Sequence, residues 1–203
     1  MKDPIAMKHR FRGFLPMVVD VETAGVDPQK NALLEMCVVL IHQDTQGYLT
    51  PAKYYFEHIL PFTGAELNQE SLAFNGIDPF QPLRFAVDEK KALEQLFQPI
   101  YRALREFQCQ KAVLVGHNAW FDLLFVKSAV KRTGLKSPFH QFTSFDTATL
   151  AGLAYGQTVL AKAVKKAGID FDINEAHSAI YDAQKTAELF CTIINKWKDL
   201  AGF

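Results

Sequence analysis

The sequence predicts an α/β fold in which helices flank a mixed five-stranded sheet. Two observations carry that reading. Three apolar, β-branched segments separated by turn residues open the chain, as in an antiparallel meander. After them, helix-period segments alternate with two short buried strands, the pattern of a sheet with parallel strands. With 203 residues and 49% hydrophobic residues, the whole chain fits one compact domain over residues 1–203, carrying a short basic segment at 1–13.

The elements follow in order. Phe14 to Val21 reads as the first strand, Ala32 to Ile41 as the second and "YYFEHIL" as the third. Gly25 and Pro28 lie in the turn between the first two. Gln69 to Phe74 is a short helix closed by Asn75-Gly76. Val87 to Phe107 has apolar residues at 92, 93, 96, 97, 100, 103, 104 and 107, one helical stripe; Pro99 inside it predicts a kink or a division. "KAVLVGHN" is the fourth strand, followed by a helix from Ala119 to Arg132 with Asn118 as N-cap. "FTSFDT" is the fifth strand, and Asp146 caps a helix through Leu153. Val159 to Ala167 is a short helix. Ala179 to Trp197 is the closing one, with its stripe on Ile180, Ala183, Ala187, Phe190, Ile194 and Trp197.

Composition narrows the class of protein. No apolar run approaches the roughly 18 residues of a membrane span, and the first residues predict no signal peptide. Cys37, Cys109 and Cys191 are odd in number and far apart. They form neither a disulfide framework nor a metal spacing, so a reducing cytoplasm is the expected setting. Lysine plus arginine equals aspartate plus glutamate at 22 each. Net charge therefore does not announce nucleic acid, although basic residues gathered on one face would serve. The local cluster "KHRFRGF" reads, from composition alone, as a solvated N-terminal tail.

The acids are the most informative residues. Asp20 and Glu22 flank one valine at the end of the first strand. Alternation along a strand puts both carboxylates on one face and Val21 on the other. Alone, such a pair reads as ion-paired with arginines or as a wet strand end rather than as chemistry. Asp122 falls in the first turn of a helix entered from a strand, where the positive helix terminus favours its ionised form; alone, it reads as a helix-start aspartate. Asp182 lies off the closing helix's apolar stripe. His177 precedes it by five residues, about 140° away on a regular helix. The two converge only if His177 sits on the loop before the helix, which Ser178 as N-cap would allow.

If the four acids meet in the fold, they demand a countercharge. Two carboxylates about 4 Å apart repel by roughly 4 kcal/mol at an effective dielectric near 20. Several such pairs rival the roughly 5–15 kcal/mol net stability of a domain. Oxygen-only carboxylate ligands suit hard cations, Mg²⁺ or Mn²⁺. Two divalent ions would balance four carboxylates and form the clamp used for in-line displacement at phosphorus, with a nearby histidine as general base.

The order D-x-E, then H-N-x-x-F-D, then H-x(4)-D resembles the DEDDh exonucleases of the ribonuclease H-like fold. "RFRGF", "DVETAG", "LAFNGIDP", "HNAWFD", "FDTATLAGLAYGQTVL" and "HSAIYD" extend the likeness from Arg10 to about Trp197, towards members that trim RNA. The resemblance implies that Asp20, Glu22, Asp122 and Asp182 hold two Mg²⁺ ions, with Mn²⁺ as a substitute, and that His177 deprotonates the attacking water. It implies release of nucleoside 5′-monophosphates from single-stranded 3′ ends of transfer RNA and other stable RNA precursors, and action on single-stranded DNA as well. It assigns Phe74, Phe121 and Phe142 to stacking against terminal bases and Glu70 to the last base. The family has phenylalanine after D-V-E-T-A-G where this chain has Val26, so base preference is expected to differ. The resemblance further implies a homodimer, with Arg10, Arg12, Arg105, Lys111 and Lys136 of one subunit guiding RNA to the other's site.

Two other readings share these features. A proofreading-type 3′→5′ exodeoxyribonuclease uses the same acid set. A module that holds RNA ends without cutting would need a broken set, and none of the acids is missing here.

Overall fold

The computed structural model describes residues 6–176 and 178–201. After two short 3₁₀ turns at Met7–His9 and Phe11–Gly13 come β1 (Phe14–Thr23), β2 (Leu33–Gln43), β3 (Leu49–His58) and α1 (Gln69–Asn75). A third such turn, Pro82–Arg84, leads to α2 (Glu89–Glu106), β4 (Lys111–Gly116), α3 (Trp120–Thr133) and β5 (Phe139–Asp146). The chain ends with α4 (Thr147–Tyr155), α5 (Leu160–Lys166) and α6 (Ala179–Ala201). The fold is α/β, as expected.

The five strands lie in the order β3-β2-β1-β4-β5. β1 pairs antiparallel with β2, and β2 with β3, which makes the meander. β4 runs parallel to β1, and β5 parallel to β4. Residues Phe14 to Val19 of β1 are buried without interruption, because helices cover both faces of a central strand. α6 packs along β1, β2 and β3, with α4 and α5 beside it. α2 and α3 pack against each other and against the sheet. Phe125, Phe190, Leu15, Met17, Leu93 and Leu96 are among the fully buried side chains between these layers.

Three local expectations change. α2 runs unbroken through Pro99, which is buried on its apolar face. The burial of Leu96, Phe97, Ile100 and Ala103 holds both halves of the helix to the sheet and offsets the missing N–H. Asn118 does not cap α3: it takes a left-handed φ of 64°, its carbonyl accepts the Phe121 N–H at 2.9 Å, and the helix starts after Ala119, without a side-chain cap. Trp197 is 43% exposed, so the α6 stripe does not reach it. The stripe instead widens at Leu189 and Ile193, which join Ala151, Ala163 and Val164 in a second apolar cluster under α4 and α5.

Candidate active site

The site begins where β1 loses its full burial. Asp20 and Glu22 are half-buried at alternate positions, while Val21 between them is buried. Thus the two acids share one face of the sheet, as the alternation requires. The Val21 N–H donates to Asp122 Oδ1 at 3.1 Å, which ties the first turn of α3 to β1. Asp122 is only 4% exposed. Gly116, at the end of β4, makes room for it: a Cβ there would lie 2.9 Å from Asp122 Oδ2 and 3.1 Å from Ala119 Cα. Asp182 enters from the first turn of α6, half-buried, with its N–H on the Ser178 carbonyl at 2.9 Å. His177 lies outside the described residues.

Asp20 and Glu22 feel the charge of the other acids. Burial, then repulsion from Asp122, Glu22, Asp182 and Glu35, pushes the Asp20 carboxyl well above its usual range. Burial and the negative charges of Glu35 and Asp182 raise Glu22 to about 8, against a hydrogen bond from Asn75. Burial raises Asp122 to about 7, opposed by its backbone hydrogen bonds. Four carboxylates from β1, α3 and α6 therefore repel one another in one partly dry place. Among the described residues no three His, Cys, Asp or Glu side chains are already drawn into a metal-ligand set. The acids are neighbours rather than a closed cage. An all-carboxylate donor set with raised pKa values fits divalent cations, which would hold these groups ionised.

Other residues around the acids are placed by the fold. Glu35 stands opposite Glu22 in the β1–β2 ladder. It is compensated by His58 Nδ1 at 2.9 Å and Arg84 Nη2 at 3.4 Å. Asp146 caps α4, as expected, and its Oδ1 also accepts the Asn118 N–H at 2.8 Å, fixing the loop before Asp122. Those hydrogen bonds hold the Asp146 carboxyl below its usual range although burial opposes them. His117 has both ring nitrogens engaged, Nδ1 with Thr147 Oγ1 at 3.0 Å and Nε2 with the Thr158 carbonyl at 2.8 Å. It braces β4 to the segment after α4.

The expected substrate residues fall in three places. Glu70 is exposed in the first turn of α1 and lines a cavity of about 480 Å³ with Val26, Asn31 and Asn68. Phe74 and Phe142 are 69% and 81% exposed. Phe121 is half-buried against Phe125, with ring centroids 4.9 Å apart. Beside it, Trp120 is 60% exposed, and its position inside H-N-A-W-F-D is the sequence signal for it.

Arg105, Lys111 and Lys136 line one cavity of about 380 Å³. Arg12 is exposed and stacks over Phe14, whose ring lies 4.7 Å from His140. Arg10 stands apart: it is 7% exposed, and its Nη1 donates to the Gly47 carbonyl at 2.9 Å. Burial lowers its pKa.

Comparison with known proteins agrees with this architecture. The RNase_T family model, described as "Exonuclease", matches residues 17–190. Ribonuclease T of Marinobacter nauticus is 56% identical over 203 residues, covering 100% of this chain and 92% of that one. Ribonuclease T of Vibrio parahaemolyticus is 57% identical, covering 99% and 95%. Among solved structures, a full-length 3′-exonuclease superposes with a TM-score of 0.69 at 19% identity over 90% of this chain and 83% of that one. The nuclease domain of 3′hExo, a DEDDh family member bound to rAMP, gives 0.61 at 16% identity, covering 91% of each chain. E. coli exonuclease I in complex with a dT13 oligonucleotide gives 0.64 at 17% identity; the match spans 93% of this chain but only 43% of that larger one. These likenesses show that the chain shares the fold of these exonucleases. At more than half identity over nearly its full length, the chain belongs to the ribonuclease T family of exonucleases.

Proposed function

We propose that this chain is a single-domain, metal-dependent 3′→5′ exoribonuclease that shortens single-stranded 3′ ends one nucleotide at a time. Exonucleases of the DEDDh type depend on divalent metal. The observation that carries the reading for this chain is the mutual repulsion of Asp20, Glu22, Asp122 and Asp182 at one end of the sheet.

These four carboxylates would hold two divalent cations, Mg²⁺ or Mn²⁺. Such ions, when bound, supply Lewis-acid polarisation of the phosphodiester and a more acidic water. The chain's own groups do the rest. Val21 N–H and the gap at Gly116 fix where the Asp122 carboxylate points. Asp146 and His117 hold the loop that precedes it. His177, by its place in H-x(4)-D, accepts the proton of the water that attacks phosphorus. The broken P–O3′ bond frees a nucleoside 5′-monophosphate and leaves a new 3′-hydroxyl. Phe74, Phe121 and Phe142 offer rings to the terminal bases, since stacking holds single strands without strict sequence preference. Glu70 reads the last base by hydrogen bonding.

We infer a homodimer, and the placement of charge supports it. Lys111 begins β4 and Gly116 ends it, so the basic cavity and the acid cluster lie roughly 17 Å apart along the strand at about 3.3 Å per residue. In the proposed dimer, the cavity of Arg105, Lys111 and Lys136 on one subunit would guide RNA into the other's site. Transfer RNA and other stable RNA precursors, with a duplex stem and a short 3′ tail, are the proposed substrates. Single-stranded DNA is a further one, and the cytoplasm is the proposed setting.

The test is an RNA duplex with a short 3′ tail, end-labelled at its 5′ terminus and incubated with Mg²⁺ or with chelator. The expected result is stepwise shortening and nucleoside 5′-monophosphates with Mg²⁺ alone. RNA that binds yet stays intact in Mg²⁺ would contradict the proposal. A preference for mismatched DNA primers would transfer the chain to proofreading chemistry.

A further inference from the structure

We propose that the loop of residues 78–87 is a second stacking platform, which holds the single strand upstream of the nucleotide being removed. The proposal rests on the exonuclease reading above and adds a binding surface to it. Phe80, Leu83 and Phe85 project from this one loop and are 68%, 76% and 82% exposed. Single exposed apolar residues are ordinary, but three large ones on one short loop mark an interaction surface. Phe85 adds an independent sign. Its φ of 52° and ψ of 33° are left-handed, a conformation that glycine adopts without strain and phenylalanine does not. A strained backbone under an exposed aromatic ring points to a use for that ring outside the fold.

The loop is built to be rigid. The Phe80 N–H donates to Asp78 Oδ1 at 3.0 Å, and the Arg84 and Phe85 N–H groups donate to the Gln81 and Pro82 carbonyls. At its far end Val87 bonds to the backbone of His58 and Leu60.

Its position favours nucleic acid over a protein partner. Arg84, between Leu83 and Phe85, turns inward; its Nη2 lies 2.9 Å from the Leu34 carbonyl and 3.4 Å from Glu35 Oε1. Glu35 faces Glu22 across the ladder. The two flanking side chains are thus rooted one residue from Arg84, which holds the glutamate opposite Glu22. Lys90 and Lys91 follow in the first turn of α2, both exposed, where backbone phosphates would pass; Asp88 caps that helix. A strand whose 3′ end reaches the acids has this loop beside its next bases. Stacking on aromatic and apolar side chains tolerates any base there.

The test compares KM and kcat on a dinucleotide and on a long single-stranded RNA for wild type, Phe80→Ala, Leu83→Ala and Phe85→Gly. The ratio of the long-strand KM to the dinucleotide KM should rise about tenfold in at least the Phe85 variant, the scale of a single base–aromatic stack. Phe85→Gly should melt at or above the wild-type temperature, because it relieves the left-handed strain, so a failure to fold would not mimic the effect. An unchanged ratio overturns the proposal. So does an unchanged ratio with a smaller mass by light scattering, which would assign the loop to a protein interface. If wild type cleaves neither substrate, the exonuclease reading fails separately. Fluorescence anisotropy of the same labelled RNA then decides: weaker binding by Phe85→Gly supports the platform, and equal binding overturns it.

Discussion

Glu22 and Glu35 stand directly opposite each other in the antiparallel ladder of β1 and β2. Paired positions of a ladder share a face, and like charges there destabilise the pairing. The fold offsets this on one side only. Arg84 and His58 contact Glu35, whereas Glu22 meets Asn75 and further acids. Replacing Arg84 leaves a nearly buried carboxylate beside an acid cluster. Arg84→Ala should therefore destabilise the chain towards the lower end of roughly 3–5 kcal/mol, since His58 remains. Urea unfolding measures it.

Metal-free stability should fall as pH rises. Glu22 shifts from 4.5 to about 8 and Asp122 from 3.8 to about 7, both upward on folding. The folded chain therefore binds these protons more tightly than the unfolded chain. Their stabilising contribution is fully present below the unfolded values and disappears as pH climbs through about 7 and about 8. Melting in chelator at pH 5 and pH 9 should show the higher temperature at the acid end. Adding Mg²⁺ should raise the temperature more at pH 9. A flat profile between these pH values would remove the cluster as its cause.

Gly116→Ala should impair both stability and turnover. Its Cβ would meet Asp122 Oδ2 at 2.9 Å, and that carboxylate is already tied to Val21 N–H. Displacing a side chain or backbone in so tight a place costs about 1–3 kcal/mol. A small positional shift in a metal-ligand candidate should lower kcat more than it raises KM. Thermal melts and steady-state kinetics test the two parts.

The basic cavity predicts a salt effect. Arg105→Ala and Lys136→Ala should each weaken RNA binding and reduce the slope of log K against log salt by about 1 for each phosphate no longer neutralised. Arg10→Ala should instead lower the melting temperature, because Arg10 is buried against Gly47. Binding isotherms at several salt concentrations distinguish these outcomes.

Val26 is 79% exposed at the rim of the cavity that Glu70 lines. Val26→Phe should add a ring face for the terminal base and lower KM on short RNAs by roughly fivefold or more, the low end for one base–aromatic stack. RNAs differing in the final 3′ base would show which bases benefit.

Much of this is legible in the chain. The strand period places Asp20 and Glu22 on one face, and Asp146 is readable as a cap because its neighbours make a helix start. What cannot be read depends on register or on long-range packing. Glu35 becomes part of the site only through its pairing with Glu22, fixed by the turn after Glu22. Arg84 reaches it from a loop some fifty residues away in sequence. Asn118 is a cap by residue type, but the tight passage from Gly116 into α3 puts it in a left-handed conformation. Pro99 is a helix breaker by residue type, and burial of the stripe on both sides overrides it. Arg10 and Arg12 are alike in sequence and opposite in burial, a difference set by where the Gly47 carbonyl lies.

The most direct test of the carboxylate cluster is calorimetric titration of the metal-free protein with Mg²⁺ or Mn²⁺, for wild type and Asp122→Asn. Saturable divalent binding by wild type, with release of protons near neutral pH and weakened in the variant, is the expected result. Equal binding by the two proteins, or no binding by either while RNA is still cleaved, would contradict a site built on Asp20, Glu22, Asp122 and Asp182.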